Sequence, residues 1–242
     1  MHEWNQPHTL IIISPDSTSH NVEDMGEMNS ARTLLAACIL IAFATGACSK
    51  QSNTTPLPYT ADFKNTASGW QTLSDTSADV KYDAGALRFV IKQENLSQWS
   101  VPGKTFADAT LDVDAQPNGG PTDNGFGVIF RVQNRRNFYH FEISSDGYWR
   151  AGIMKDGVWT NWDDWAQNSA IKTGNAMNHI RIIMVKDKFQ YFVNDQLILQ
   201  RQEKTFATGD IGLLALTLLD RPGTDVSFTH VSVTAPPSDS QQ

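Results

Sequence analysis

The chain has 242 residues, 40% hydrophobic and 19% charged, a composition that suits a folded globular protein and excludes a disordered or fibrous one. Its formal net charge is −7; a single basic residue (Arg32) and five acidic ones precede Cys48, leaving 18 basic and 21 acidic residues from there on, a net of −3. No Lys/Arg-rich run exists, which argues against nucleic acid and anionic lipid headgroups as partners, since both need a clustered basic footprint.

Residues 1–27 are acidic and have no amphipathic period, a poor beginning for an export signal. The protein is therefore expected to start at Met25 or Met28, with residues 1–27 not part of it. From Met28 the chain reads Met-Asn-Ser-Ala-Arg, then an apolar run over Thr33–Thr45, then Gly46-Ala47-Cys48. A basic start, a hydrophobic stretch and small residues before a cut predict a signal peptide over 28–47, and the run falls short of the ~20 residues a spanning helix needs. The two cysteines, Cys38 and Cys48, both lie here, so the remainder has no disulfide, thiol nucleophile or cysteine-based metal site. Thr45-Gly46-Ala47-Cys48 resembles the lipobox of bacterial lipoproteins, with Thr45 where leucine is usual. That resemblance implies lipidation of Cys48, export, and a membrane anchor facing the periplasm or the cell exterior; plain secretion with a coincidental cysteine is the alternative. Ser49 in place of an aspartate resembles outer-membrane sorting. Residues 48–58 read as a polar linker and 235–242 as a disordered tail.

From Tyr59 the pattern is of short alternating runs broken by turns, with no helical period of useful length. Strands are predicted at Leu87–Lys92, Ala109–Ala115, Gly125–Gln133, Phe138–Ser144, Tyr148–Met154, His179–Val185, Phe189–Val193, Leu197–Gln200, Ile211–Ala215 and Val226–Val233. Asp83-Ala84-Gly85, Asp146-Gly147, Asp156-Gly157 and Asn194-Asp195 supply turn chemistry between them. About ten strands at this spacing without βαβ units predict an all-β fold, a sandwich or barrel spanning 59–234.

Three segments carry a family resemblance: Gly125-Phe-Gly-Val-Ile-Phe-Arg131, Asn137-Phe-Tyr-His-Phe-Glu-Ile-Ser-Ser-Asp-Gly147 and Phe206-Ala-Thr-Gly-Asp-Ile-Gly-Leu213. With Phe63, Gly69-Trp70 and the closing run Val226–Val233, they resemble the concanavalin A-like lectin/glucanase (laminin G-like) superfamily, and within it the sensor or carbohydrate-binding-like modules. The resemblance implies an antiparallel two-sheet jelly-roll sandwich. It says less of function, because such modules serve many ligands.

Strand geometry yields one polar constellation. If Gln133 and Phe138 close a hairpin, Arg131 lies opposite His140; if Ser145-Asp146-Gly147 is a three-residue loop with Gly147 at φ > 0, Glu142 lies opposite Arg150. Arg131, Gln133, Phe138, His140, Glu142, Tyr148 and Arg150 then share a face suited to sugars, whose hydroxyls are bonded while a ring stacks. Ordinary cross-strand ion pairs on a solvated face are the competing explanation. Of the tryptophans in Trp149 to Trp165, Trp149 and Trp165 are assigned to the core and Trp162 to the edge of a groove.

Catalytic motifs are missing. Retaining glycosidases need two carboxylates about 5–5.5 Å apart, and Asp112-Val-Asp114 is the nearest match to the Glu-x-Asp-x-Glu strand of the superfamily's glucanases, without either glutamate. No Gly-x-Ser-x-Gly elbow or zinc-binding His-Glu-x-x-His helix occurs. No cofactor is expected; calcium at Asp123-Asn124 is conceivable, although an Asn/Asp/Gly turn explains that loop as well. The expected function is a surface-anchored, non-catalytic binding module for a glycan or another cell-envelope ligand. A saccharide hydrolase and a protein-interaction lipoprotein without a small-molecule site are the rivals.

Overall fold

The computed structural model describes residues 54–238; the signal segment, Cys48, half of the linker and the end of the tail lie outside them. In chain order the described residues form β1 (Tyr59–Ala61), a 3-10 turn (Thr66–Ser68), β2 (Leu73–Ser74), β3 (Ala78–Asp83), β4 (Ala86–Ile91), β5 (Ser97–Ser100), β6 (Ala109–Gly119), β7 (Gly125–Asn134), β8 (Asn137–Ser144), β9 (Tyr148–Lys155), β10 (Val158–Asn161), β11 (Ala166–Gln167), β12 (Asn178–Val185), β13 (Lys188–Val193), β14 (Gln196–Gln202), β15 (Asp210–Leu216) and β16 (Thr224–Thr234). They make two antiparallel sheets. The nine-stranded sheet runs β14-β13-β12-β6-β16-β4-β3-β2, with β1 also on β16; the seven-stranded sheet runs β10-β9-β8-β7-β15-β5, with β11 also on β9. This is the two-sheet sandwich that the alternation of short strands predicts.

The two sheets obey different burial rules, and the sequence of each follows. Strand β13, Lys-Phe-Gln-Tyr-Phe-Val, alternates exposed or half-buried with buried residues, as a strand with one solvated face must. Its Phe189, Tyr191 and Val193 join Phe89, Leu111, Val113, Phe130, Tyr139 and Phe141 in the core between the sheets. Strands β7 and β8 are buried nearly throughout, from Gly125 to Val132 and from Phe138 to Ser144. A strand buried on both faces needs cover on its outer face too. Here a second apolar cluster of Trp99, Ile129, Val132, Phe138, Met154 and Leu214 lies on the outer side, with Val101 and Trp159 packed against it.

Two-residue turns set the registers. Ala84-Gly85, Asp156-Gly157 and Asn194-Asp195 all take positive φ at both positions, the geometry that matches the twist of a tight hairpin. Gly147, at φ 94°, closes β8 onto β9 with Glu142 opposite Arg150 and Ile143 opposite Trp149, as the turn chemistry predicts. The β7–β8 hairpin departs from expectation. Asn134 does face Asn137, but the register shifts before Phe130, which pairs with Tyr139. Arg131 sits in the shift with φ 52°, in the left-handed region, within an irregularity where β7 carries two more residues than β8. Ile129, not Arg131, therefore stands opposite His140.

Candidate functional site

The outer face of the seven-stranded sheet gathers polar and aromatic groups. Alternation along β8 sends Phe138, His140, Glu142 and Ser144 outward while Tyr139, Phe141 and Ile143 enter the inter-sheet core. Across the sheet, Glu142 lies between Gly127 of β7 and Arg150 of β9, and His140 lies between Ile129 and Gly152. The glycines make room. A Cβ on Gly152 would stand 2.5 Å from His140 Nε2, and one on Gly125 would stand 3.4 Å from Glu142 Oε2 and 3.1 Å from the Trp165 ring. Long side chains thus lie flat on bare backbone.

His140 and Glu142 are both completely buried. Arg150 donates to Glu142 Oε2 from Nε at 3.0 Å and from Nη2 at 2.6 Å. His140 Nδ1 faces Glu142 Oε1 at 2.9 Å, and the other side of the ring faces the Thr160 backbone; these atoms are buried, and neither they nor Nε2 completes a well-formed hydrogen bond. Burial pushes the His140 ring toward its neutral form, against the pull of the neighbouring carboxylate. For Glu142, burial is the largest influence and pushes the carboxyl upward, yet Arg150 and His140 together outweigh it and hold the group below the usual range. A neutral imidazole beside an ionised carboxylate follows.

Two indoles close the face over this array. The Trp159 ring centre is 4.1 Å from that of His140, inclined by 33°, and it meets Phe138 edge-on at 5.9 Å. Trp159 Nε1 donates to Asn161 Oδ1 at 2.9 Å. The Trp165 ring carries the Arg150 guanidinium at 4.5 Å from its centre, a cation–π contact that leaves the cation sandwiched between ring and carboxylate. At the far side of the face Arg135 covers Trp99 in the same manner, at 4.5 Å.

Of the residues singled out in the sequence, Phe138, His140, Glu142, Tyr148 and Arg150 share this face, with Tyr148 half-buried at its end. Arg131 does not. The bulge turns its side chain into the loops at the end of the sandwich, where its guanidinium donates to Phe106 O, Ala207 O and Asp108 Oδ1 and is 1% exposed. Gln133 follows it, donating to Arg131 O and Thr208 O. Both residues brace loops. Trp162 lies on the inner side of the strand edge, 5.9 Å from Tyr139 and beneath Arg201, so it does not edge a groove on the outer face. Trp149 is core as expected, whereas Trp165 lies on the outer face over Arg150. Trp159 escaped the sequence reading, although the Asp156-Gly157 turn implies its place opposite Met154.

The other candidates have structural occupations. Asp123 pairs with Arg221 at 2.9 Å, and the Asn124 amide bonds Arg221 O and Leu218 N, so this loop's side chains are committed to holding the loop and not to calcium. Among the described residues no three His, Cys, Asp or Glu side chains converge as a metal site. Asp112 and Asp114 lie on the nine-stranded sheet, both bound to His179. A depression of about 540 Å³ on that sheet, lined by Ile183, Lys188, Gln190 and Gln200 among others, is remote in topology from the His140 face.

No curated protein matches the chain. Among solved structures, the carbohydrate-binding module CBM66 from Bacillus subtilis superposes with a TM-score of 0.55 at 15% identity, over 69% of this chain and 96% of that one. A Bacillus licheniformis beta-glucanase gives 0.55 at 11% identity, over 75% and 99%. A Bacteroides ovatus mixed-linkage-glucan enzyme of the GH16 group gives 0.53 at 9%, over 72% and 99%. At such identities the likeness is one of fold, and the fold is the concanavalin A-like sandwich. A family profile, the 3-keto-alpha-glucoside-1,2-lyase-like domain, matches residues 59–233, which is every strand from β1 to all but the last residue of β16; the chain belongs to this family.

Proposed function

We propose that the chain recognises a saccharide on the outer face of the seven-stranded sheet, at His140, Glu142 and Arg150. The observation that carries this reading is the buried His140–Glu142 pair, in contact at 2.9 Å, whose Nδ1, Nε2 and Oε1 atoms complete no well-formed hydrogen bond within the protein. A buried polar atom without a partner costs about 1–3 kcal/mol, and such costs persist where a ligand completes the bonding. Sugar hydroxyls both donate and accept, while Trp159 and Trp165 offer rings for stacking. The carbohydrate-binding and glucan-active neighbours and the family description support a sugar as the ligand. The test is calorimetric titration with a panel of neutral oligosaccharides and 3-keto-glucosides. Binding that weakens at least tenfold in Arg150→Ala and Glu142→Gln supports the proposal; no binding to any sugar contradicts it.

A catalytic reading is favoured by one observation, the fully buried His140 ring set 2.9 Å from the carboxylate that Arg150 holds. Paired environments that push two groups apart assign acid and base roles. The family description suggests elimination across C1 and C2 of a 3-keto-glucoside. A base would take the C2 proton, made acidic by the C3 carbonyl; the electron pair would form the C1=C2 bond as the C1–O bond breaks, and the departing oxygen would take up a proton. One base and one acid suffice. Hydrolysis by paired carboxylates fits less well, because Glu142 is flanked across the sheet by Gly127 and Arg150. Appearance of a conjugated enone from a 3-keto-glucoside, lost in His140→Ala, tests this; its absence with intact binding leaves a non-catalytic module. Lipidation of Cys48, holding the domain at a membrane, belongs to the same proposal and is checked by whether Cys48→Ser releases the chain from the membrane fraction.

A further inference from the structure

His140 and Glu142 are completely buried, so a ligand reaching their polar atoms must displace something. What covers them belongs to one segment. Strands β10 and β11 pair with the same edge of β9, β10 along Gly152–Lys155 and β11 along Tyr148–Trp149. Between them Asp163 and Asp164 stand exposed, and the backbone is held to β9 at Trp162, whose N–H donates to Ala151 O at 2.9 Å. The Trp162 ring packs inward on Tyr139. On either side of that pin the outer face receives Trp159, over His140, and Trp165, over Arg150.

The β10 half is weakly held. It has four residues, a neighbouring strand on one side only, and two exposed ends, with Val158 64% exposed. Its turn is tied by Arg136, which donates to Asp156 O and accepts from Gly157 N. An outermost strand with few buried groups is the kind of element that opens locally, far below the cost of global unfolding. The His140 ring is directed at this strand. Because Gly152 has no side chain, His140 Nε2 and Thr160 O both crowd the place its Cβ would take, at 2.5 and 2.1 Å from it.

We infer that β10 is a movable edge strap, pivoting between the Asp156-Gly157 turn and Trp162, that lifts Trp159 off His140 to admit the ligand. This rests on the saccharide-site reading for the ligand's identity, but the motion itself is tested without any sugar. When the strap lifts, Nε2 loses the cover of the Trp159 ring and faces the space a sugar ring would enter. Trp159 is in this scheme a positioning residue, excluding water from His140 while the strap is down.

The experiment is carbethoxylation of the full-length chain by diethylpyrocarbonate near pH 7, with each histidine followed by peptide mass spectrometry, and His179 and His230 as internal references. In the unmodified sequence His140 is expected to react at least tenfold more slowly than His230. Trp159→Ala is expected to raise the His140 rate at least tenfold with the references unchanged, and Trp159→Phe to fall between. Hydrogen exchange on the unaltered protein provides a readout that needs no variant: amides of Val158–Asn161 should exchange at least a hundredfold faster than those of β8. Rapid wild-type reaction at His140, equal protection in a folded Trp159→Ala, or β10 amides exchanging no faster than β8 would each overturn the strap. Failure to bind sugar would leave all three rates as they are, and so would count against the saccharide reading alone.

Discussion

Two histidines in this chain have opposite electrostatic surroundings, and their effects on stability have opposite signs. His179 sits on the solvent side of the nine-stranded sheet with Nε2 2.9 Å from Asp112 and Nδ1 2.7 Å from Asp114. Those carboxylates, Asp112 foremost, raise its affinity for a proton against the opposing effect of partial burial. Its stabilising contribution is full below the unfolded value near 6.5 and is lost as pH rises through the folded value. His140 is the reverse. Burial lowers its proton affinity, so its contribution is full above about 6.5 and is lost as pH falls from there toward the folded value. Imidazole NMR titration is expected to find His179 still protonated above pH 6.5 and His140 neutral below it. Both rings titrating together near 6.5 would contradict the assigned partners.

Arg131 shows how one residue changes role with one backbone angle. The alternation of β7 points it at the outer face; the left-handed φ at its own position diverts it into the loops at 106–108 and 207. Hydrogen bonds from a charged donor are worth about 1.5–3 kcal/mol each. Arg131→Ala is expected to cost roughly 2–3 kcal/mol, lowering the melting temperature by roughly 5–10 °C, and to leave sugar affinity unchanged where the variant is folded. A variant that melts normally but loses affinity would restore Arg131 to the site.

At the scale of elements, legibility followed turn chemistry. The β8–β9 hairpin was readable because Asp146-Gly147 can make only a few loops, and loop length then places Glu142 opposite Arg150. The bulge in β7 was not readable, since no glycine marks the left-handed position and the extra residues look like any other strand residues. Short strands were lost for a related reason. Strand β5, Ser-Gln-Trp-Ser, is polar by composition yet buried at all four positions, because its Trp99 packs on Phe138 and under Arg135, residues distant in sequence. Period-3 spacing of Trp159, Trp162 and Trp165 does not reveal their faces, because the edge strand breaks between β10 and β11. The polar array was legible as a set, but not its enclosure.

Gly152 tests the element-level packing. A Cβ there would lie 2.1 Å from Thr160 O, far inside any tolerated contact, so Gly152→Ala must push β10 from β9 or tilt His140. Overpacking of this kind costs about 1–3 kcal/mol. The expected outcome is lowered stability with amide protection lost selectively over Val158–Asn161. A variant with unchanged protection there would mean that the ring and strand do not converge on that glycine.

For the whole molecule, the two outer faces of the sandwich are built differently. The nine-stranded sheet turns outward a ladder of satisfied ion pairs, such as Arg181 with Asp112 and Asp195, and Arg88 with Asp83 and Asp225. Half-exposed pairs like these are worth about 0–1 kcal/mol. The seven-stranded sheet instead covers its outer face with aromatic rings and leaves His140 and Glu142 atoms unsatisfied beneath them. Two faces of one fold thus differ in what a ligand would gain. The weakly acidic charge after Cys48, −3, agrees with a neutral ligand better than an anionic one.

The most direct measurement is an NMR titration of the protein with the tightest-binding sugar of the panel, following the indole Nε1–H signals of all tryptophans. The signals of Trp159 and Trp165 are expected to move in proportion to saturation, while those of Trp70 and Trp162 stay fixed. Shifts confined to amides around Lys188, Gln190 and Gln200 on the opposite sheet, or no shift at saturating sugar, would contradict a saccharide site at His140 and Glu142.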